Sequence, residues 1–376
     1  MLSHKQSFLG ATDDSLEENG DRVRKRPKWS SSRSPTHIQS NEDRSLHVNG
    51  GKSMRKSELS FRRLRDVNTT CPSDSSINST EFDATGRLVL TAGLDAHVRI
   101  FAKQANSDSY NFRHSLFVEG VPIYRAGFLG RDYGQILLAG SHSLYLSDIE
   151  TNTTEKIQLH GNWRPSSFVI HQNTTPTMAC VPGEQGSIAV MSLSSRTKLA
   201  TLTAEGHISG ATFGACERDL MTVNNEGTVH VWDLRMNRCK QKVKETAFYD
   251  ATTLAFCDAK GLLAVGTASG LVGLQTGWNS SCKDDVLSPV KVVRSLKTKI
   301  DSLRFDSTGA LLLTSSSQLK DGVRIFDTVT HHTLSTWPTK ATPLHYVLSG
   351  DFHPLSTHLA LGNARGRVLL YNLRQT

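Results

Sequence analysis

Several chemistries are excluded by what this sequence does not contain. Its six cysteines (71, 180, 216, 239, 257 and 282) lie far apart with no CxxC pair. That spacing excludes a disulfide framework or a zinc ribbon and reads as reduced intracellular thiols, mostly buried as small hydrophobes. The longest apolar runs are only a few residues, as in Leu311–Leu313, too short to cross a bilayer. The opening residues Met1 to Lys5 lack the basic-then-apolar layout of a secretory leader. There is no GxxxxGK[ST] phosphate loop and no nucleophile elbow. The fifteen histidines form no HExxH or His-x-His spacing, and adjacent His331 and His332 point in different directions in a strand or turn. Neither catalytic residues nor a cofactor, metal site, membrane association or small-molecule substrate is therefore expected.

What the sequence does carry is positive charge, unevenly placed. The formal net charge is +8 and the isoelectric point about 9.2, which favours an acidic partner such as nucleic acid. Residues 1–70 hold 14 Lys and Arg against 9 Asp and Glu, so most of the excess sits near the N-terminus. Residues 1–56 are rich in Ser, Asn and charged side chains, without sustained apolar periodicity. Such a segment cannot bury enough surface to offset its ordering entropy, and a disordered basic tail is expected there. Its run Arg22, Arg24, Lys25, Arg26 and Lys28 suits nuclear import or contact with RNA phosphates.

From residue 57 onward, short β-rich segments recur between Gly, Asn, Asp and Ser. A hydrophobe on an inward-facing strand returns at Phe82, Phe128, Ile170, Phe213, Phe256, Phe305 and Phe352, at intervals of 46, 42, 43, 43, 49 and 47 residues. One four-stranded propeller blade takes about 40–45 residues. Small-residue second strands follow, as in Gly86–Gly93 and Gly261–Ala268, and then third strands such as Gly227–Asp233 and Gly366–Tyr371. Glycine before the third strand suits a turn with positive φ. The seventh repeat has only three strands, so its outer edge must be covered from elsewhere. Leu59–Val67 alternates suitably and is assigned as that closing strand; Arg62, Arg63 and Arg65 would also discourage edge-to-edge pairing. The expected architecture is all-β, one seven-bladed propeller over 57–376 behind the tail.

Gly206-His207 before the fourth repeat and Trp232-Asp233 at the end of its third strand identify the repeats as WD40-like, the fullest signature being in blade four. Elsewhere Ser147-Asp148, Phe326-Asp327 and Tyr371-Asn372 stand in. In regular blades of this type His and Asp join a buried hydrogen-bond network, so most blades here should rest mainly on packing. Blades three and five are the least regular.

Some stretches go beyond a general WD40 pattern. Phe61–Asn68 (FRRLRDVN), Glu119–Ala126 (EGVPIYRA), Asn225–Asp233, residues 335–338 (STWP), Asp351–Pro354 and Leu361–Leu370 (LGNARGRVLL) resemble the U3 small nucleolar RNA-associated protein 18 family. The resemblance implies a non-catalytic WD40 scaffold of the small-subunit processome in the nucleolus, acting in pre-18S rRNA processing and 40S subunit biogenesis. Implied partners are other WD40 proteins of that assembly, U3 small nucleolar RNA, pre-ribosomal RNA and the RNA-exosome helicase. The helicase-docking motif of the family pairs an apolar residue with an aromatic one ahead of acidic residues, and the nearest match is Phe8, Leu9, Asp13 and Asp14. The competing expectation is a WD40 adaptor or substrate receptor of a ubiquitin ligase or chromatin complex, for which Trp232-Asp233-Leu234-Arg235 supplies one ligase-docking pattern.

Overall fold

Strands of two to eight residues cannot bury their apolar side chains alone. In a computed structural model of the protein they do so by facing one another around a ring. The chain divides into two units, Met1–Arg55 and Lys56–Thr376. The structure describes residues 59–375 except 106, 131–133, 160–162, 164, 172–177, 215–217, 279–289, 335–336 and 340–341.

The described strands form seven four-stranded sheets, every neighbouring pair antiparallel. The first strands of the blades are Ile77–Phe82, Arg125–Leu129, Val169–His171, Ile208–Phe213, Ala251–Cys257, Ser302–Phe305 and Val347–Phe352. Each contains one of the seven anchors expected from the repeat. The outer strand of blade six shrinks to His332–Thr333, a shortening that the repeat spacing did not signal.

Packing explains why the sheets form a ring. Each of seven hydrophobic clusters spans the seam between two consecutive blades. Leu90 and Val98 of blade one meet Phe128 and Leu138 of blade two, and Cys180 and Ile188 of blade three meet Leu220 and Trp232 of blade four. The last seam joins Val89 and Phe101 of blade one to Ala360 and Leu370 of blade seven. Among the described residues no blade therefore presents a large apolar face to water, which would be unfavourable at about 25 cal/mol per Å².

Closure is made by the chain's own early segment. Leu59–Arg63 pairs with Val368–Gln375 from Leu59 opposite Gln375 to Arg63 opposite Tyr371. The regular strand ends four residues before Val67, but the contact continues. Leu64 N donates to Leu370 O and Val67 N to Val368 O, both at 2.9 Å. Phe61 stacks on Trp337 with ring centroids 4.9 Å apart, and Tyr371 meets the same Trp337 edge-on.

The turn before the third strand behaves as its glycine predicts in several blades. Gly227 and Gly366 have φ of 82° and 72°. In blade one Ala96 takes the left-handed position, and in blade six Asp321 does so one residue ahead of Gly322. The cysteines are less uniformly buried than expected. Among the described ones Cys180 and Cys257 are buried, Cys71 is half-buried and Cys239 is exposed. Cys239 lies on an outer strand, where one face meets water.

Candidate functional site

The first strands of the blades line a central channel, and four of them carry charge into it. Glu81 comes from blade one, Arg125 from blade two, Arg304 from blade six and Asp351 from blade seven. A space of about 520 Å³ is bordered by Arg125, Arg304 and Asp351, and one of about 190 Å³ by Glu81, Arg125 and Arg304. All four residues are half-buried, with protein on most sides of each. Burial first, then the neighbouring Asp351, pushes the Glu81 carboxyl up to about 7, against the pull of Arg304, Arg125 and the Phe128 N–H. Burial likewise raises Asp351, opposed by Arg304 and by the N–H groups of Phe82 and Phe352. Burial, then repulsion from Arg304, lowers Arg125 to about 10, so it stays a cation at neutral pH.

This cluster ties blades together. Phe82 N donates to Asp351 Oδ2 at 2.9 Å across the seam between blades one and seven. Beside it the Thr80 and Ser349 hydroxyls lie 3.0 Å apart. The Arg125 guanidinium sits 5.6 Å from the Phe168 ring centroid, joining blades two and three. Among the described residues no group of three or more His, Cys, Asp or Glu is placed to hold a metal ion. The sequence signal for the cluster was available: Glu81, Arg304 and Asp351 each directly precede an anchor aromatic, where other blades have Gly127, Val169, Thr212 or Ala255.

Blade four corrects the expectation about the WD40 network. His207 is exposed. Its place is taken by Asn224, whose Oδ1 accepts Glu226 N and Thr228 N while its Nδ2 donates to Glu205 O. Asn363 repeats this device in blade seven, accepting Arg365 N and Arg367 N and donating to Leu344 O. Trp232 is buried and its Nε1 donates to Thr222 Oγ1 at 2.9 Å. Asp233 Oδ1 accepts Arg235 N and Met236 N. Asp148 and Asp327 cap the same turn in blades two and six. The recurrent aspartate is thus a turn cap, and Trp-Asp is accounted for within the blade.

The two ends of the ring differ in their apolar exposure. At the end bearing the second-to-third-strand turns and the inter-blade segments, Leu94, Tyr124, Tyr249, Leu319 and Tyr346 are exposed. At the opposite end Met236, Val329 and Leu355 are exposed. Phe8, Leu9, Asp13, Asp14, Arg22, Arg24, Lys25, Arg26 and Lys28 lie outside the described residues.

The stretches that gave the sequence its particular resemblance meet in space. Phe61 reaches Trp337, and Asn68 Nδ2 donates to Gly366 O while Val368 N donates to Asn68 Oδ1. A model of the WD domain, G-beta repeat, matches residues 65–101. Over 340 residues the chain is 31% identical to the U3 small nucleolar RNA-associated protein 18 homolog of Arabidopsis thaliana, covering 89% of this chain and 61% of that protein. The Saccharomyces cerevisiae U3 small nucleolar RNA-associated protein 18 is 28% identical over 373 residues, with 87% and 62% covered. The Homo sapiens homolog is 23% identical over 331 residues, with 87% and 59% covered.

The chain is thus similar, over 87–89% of its length, to proteins named U3 small nucleolar RNA-associated protein 18. It spans about three-fifths of the length of the curated relatives it matches. Phe61, Asn68, Trp337 and Gly366, which lie in the matching stretches, are ring-closing residues.

Proposed function

We propose that the protein is a non-catalytic WD40 scaffold of the small-subunit processome, acting in nucleolar pre-18S rRNA processing and 40S subunit biogenesis. The observation that carries this is the likeness, along 87–89% of the chain, to proteins named for association with U3 small nucleolar RNA. A closed ring with exposed turn residues at both ends suits simultaneous docking of several neighbours. The partners are then other WD40 proteins of the assembly, with U3 small nucleolar RNA and pre-ribosomal RNA. Arg22, Arg24, Lys25, Arg26 and Lys28 would serve nuclear import and phosphate contact. Phe8, Leu9, Asp13 and Asp14 would dock the RNA-exosome helicase; deletion of residues 1–20 is then expected to abolish helicase capture, and undiminished capture discards the role.

Affinity purification of the protein after RNA crosslinking tests the proposal. U3 small nucleolar RNA and pre-ribosomal RNA are expected in the eluate; a cullin-ligase complex without either RNA overturns it. The ligase-receptor alternative gains nothing from Trp232 and Asp233, whose polar atoms are used inside blade four.

A further inference from the structure

At the rim where blades six and seven meet, several loops gather positive charge without matching acids. Asp321 N donates to His345 O, and Asp321 Oδ1 accepts Leu344 N and His345 N. These bonds dock the blade-six turn holding Lys320 onto the segment entering blade seven. Ala364 N donates to Tyr346 O, which brings up the turn holding Arg365 and Arg367. The closing segment passes the same turn through Asn68 and Gly366, just after exposed Arg65.

Lys320, Arg365, Arg367 and Arg65 are all exposed, and none has an ion-pair partner among the described residues. The neighbouring acids are engaged elsewhere: Asp321 with backbone N–H groups and Asp66 with Arg63 at 3.0 Å. Partial burial first, then Arg365 and Lys320, holds the His345 imidazole below its ordinary range, with Arg367 adding and Asp321 opposing. Beside these cations Tyr346 is 45% exposed.

We propose that this rim of the ring, and not the N-terminal tail alone, binds the phosphodiester backbone of single-stranded RNA, with Tyr346 as a stacking surface. It deepens the function proposed above and relies on it only for the identity of the natural RNA. Guanidinium groups match phosphate oxygens in a bidentate way. Cations interleaved with an exposed aromatic form the usual platform for single strands. Discouraging strand pairing explains an arginine on an edge strand but not Lys320, Arg365 and Arg367, which sit on turns.

The test uses the full chain and fluorescence anisotropy with a short uridine-rich RNA. Tail contacts are first removed by replacing Arg22, Arg24, Lys25, Arg26 and Lys28 with Ser. Binding persists in that background. Adding Lys320→Glu, Arg365→Glu and Arg367→Glu then lowers affinity roughly tenfold or more and reduces the salt slope by about 2, at ~0.7 per phosphate contact. Tyr346→Ala weakens binding without changing the slope. Reversal of exposed Lys291 and Arg294 on blade five leaves affinity unchanged. The Gln versions of the three rim variants, with unaltered melting temperature, show the same direction of loss.

Loss of all binding on neutralising the tail overturns the inference, as does unchanged affinity after the rim reversals. Equal competition by polyglutamate of matched charge also overturns it, because the rim would then be an acidic-protein surface. None of these results touches copurification with U3 small nucleolar RNA, which decides the proposed function separately.

Discussion

Asn68 and Gly366, 298 residues apart in the chain, are joined by a buried hydrogen bond of 2.6 Å from Asn68 Nδ2 to Gly366 O. The Asn68 side chain also accepts Val368 N at 3.0 Å, so one amide satisfies two backbone groups of the last blade. Asn68→Ala leaves both groups buried without partners. It is expected to destabilise the ring by about 2–4 kcal/mol. Equilibrium urea unfolding checks this, and an unchanged midpoint would remove Asn68 from the closure.

Closure as a whole gives a second expectation. A chain starting at Thr69 lacks the partner of Val368–Gln375 and leaves Trp337 without the Phe61 ring. An uncovered edge strand is a template for aggregation. That truncation is expected to melt earlier and aggregate, whereas one starting at Lys52 melts with the full chain. Light scattering during a thermal ramp distinguishes them.

Gly366 itself tolerates no side chain. At φ of 72°, a Cβ would lie 2.1 Å from Ser73 O, a backbone atom that cannot swing away. Gly366→Ala is expected to lose roughly 2–4 kcal/mol from backbone strain and displacement of the Ser73–Ser75 backbone. Wild-type stability in calorimetry would contradict that geometry.

The channel predicts a pH dependence. Glu81 titrates at about 7 in the folded ring against 4.5 for the ordinary carboxyl. Between those values the folded protein holds a proton that the unfolded chain has released. Its stability therefore falls as pH rises through the window and levels off above about 7. Asp351, also raised, acts in the same sense. Glu81→Gln removes the Glu81 contribution to the slope and is expected to stabilise the protein at about pH 8 by on the order of 1–3 kcal/mol, with little gain near pH 4. Melting curves across this range test the sign.

Trp232 separates packing from hydrogen bonding in blade four. Trp232→Phe keeps much of the volume but removes the Nε1 donor to Thr222 Oγ1, and is expected to cost about 1–2 kcal/mol. Trp232→Ala also opens a cavity in the seam with blade three and is expected to cost about 3–5 kcal/mol. Chemical denaturation of both variants measures the difference.

The amino-acid sequence alone determined the number of blades and the place of each inner strand, because a repeated four-stranded unit writes its period locally. Phe82 to Phe352 mark that period, and Gly227 and Gly366 mark turns whose dihedrals are a property of single residues. Tertiary structure decided what depends on residues distant in the chain. Only the ring brings Glu81 and Arg125 near Arg304 and Asp351, where low water access reshapes their proton affinities. His207 belonged to the fullest signature, yet Asn224 does the work expected of it, since a motif does not specify which side chain the fold buries. The rim of Lys320, Arg365 and Arg367 was equally hidden. Lys320 lies 45 and 47 residues before Arg365 and Arg367 in the chain, and only the docking of Asp321 against His345 places them on one surface.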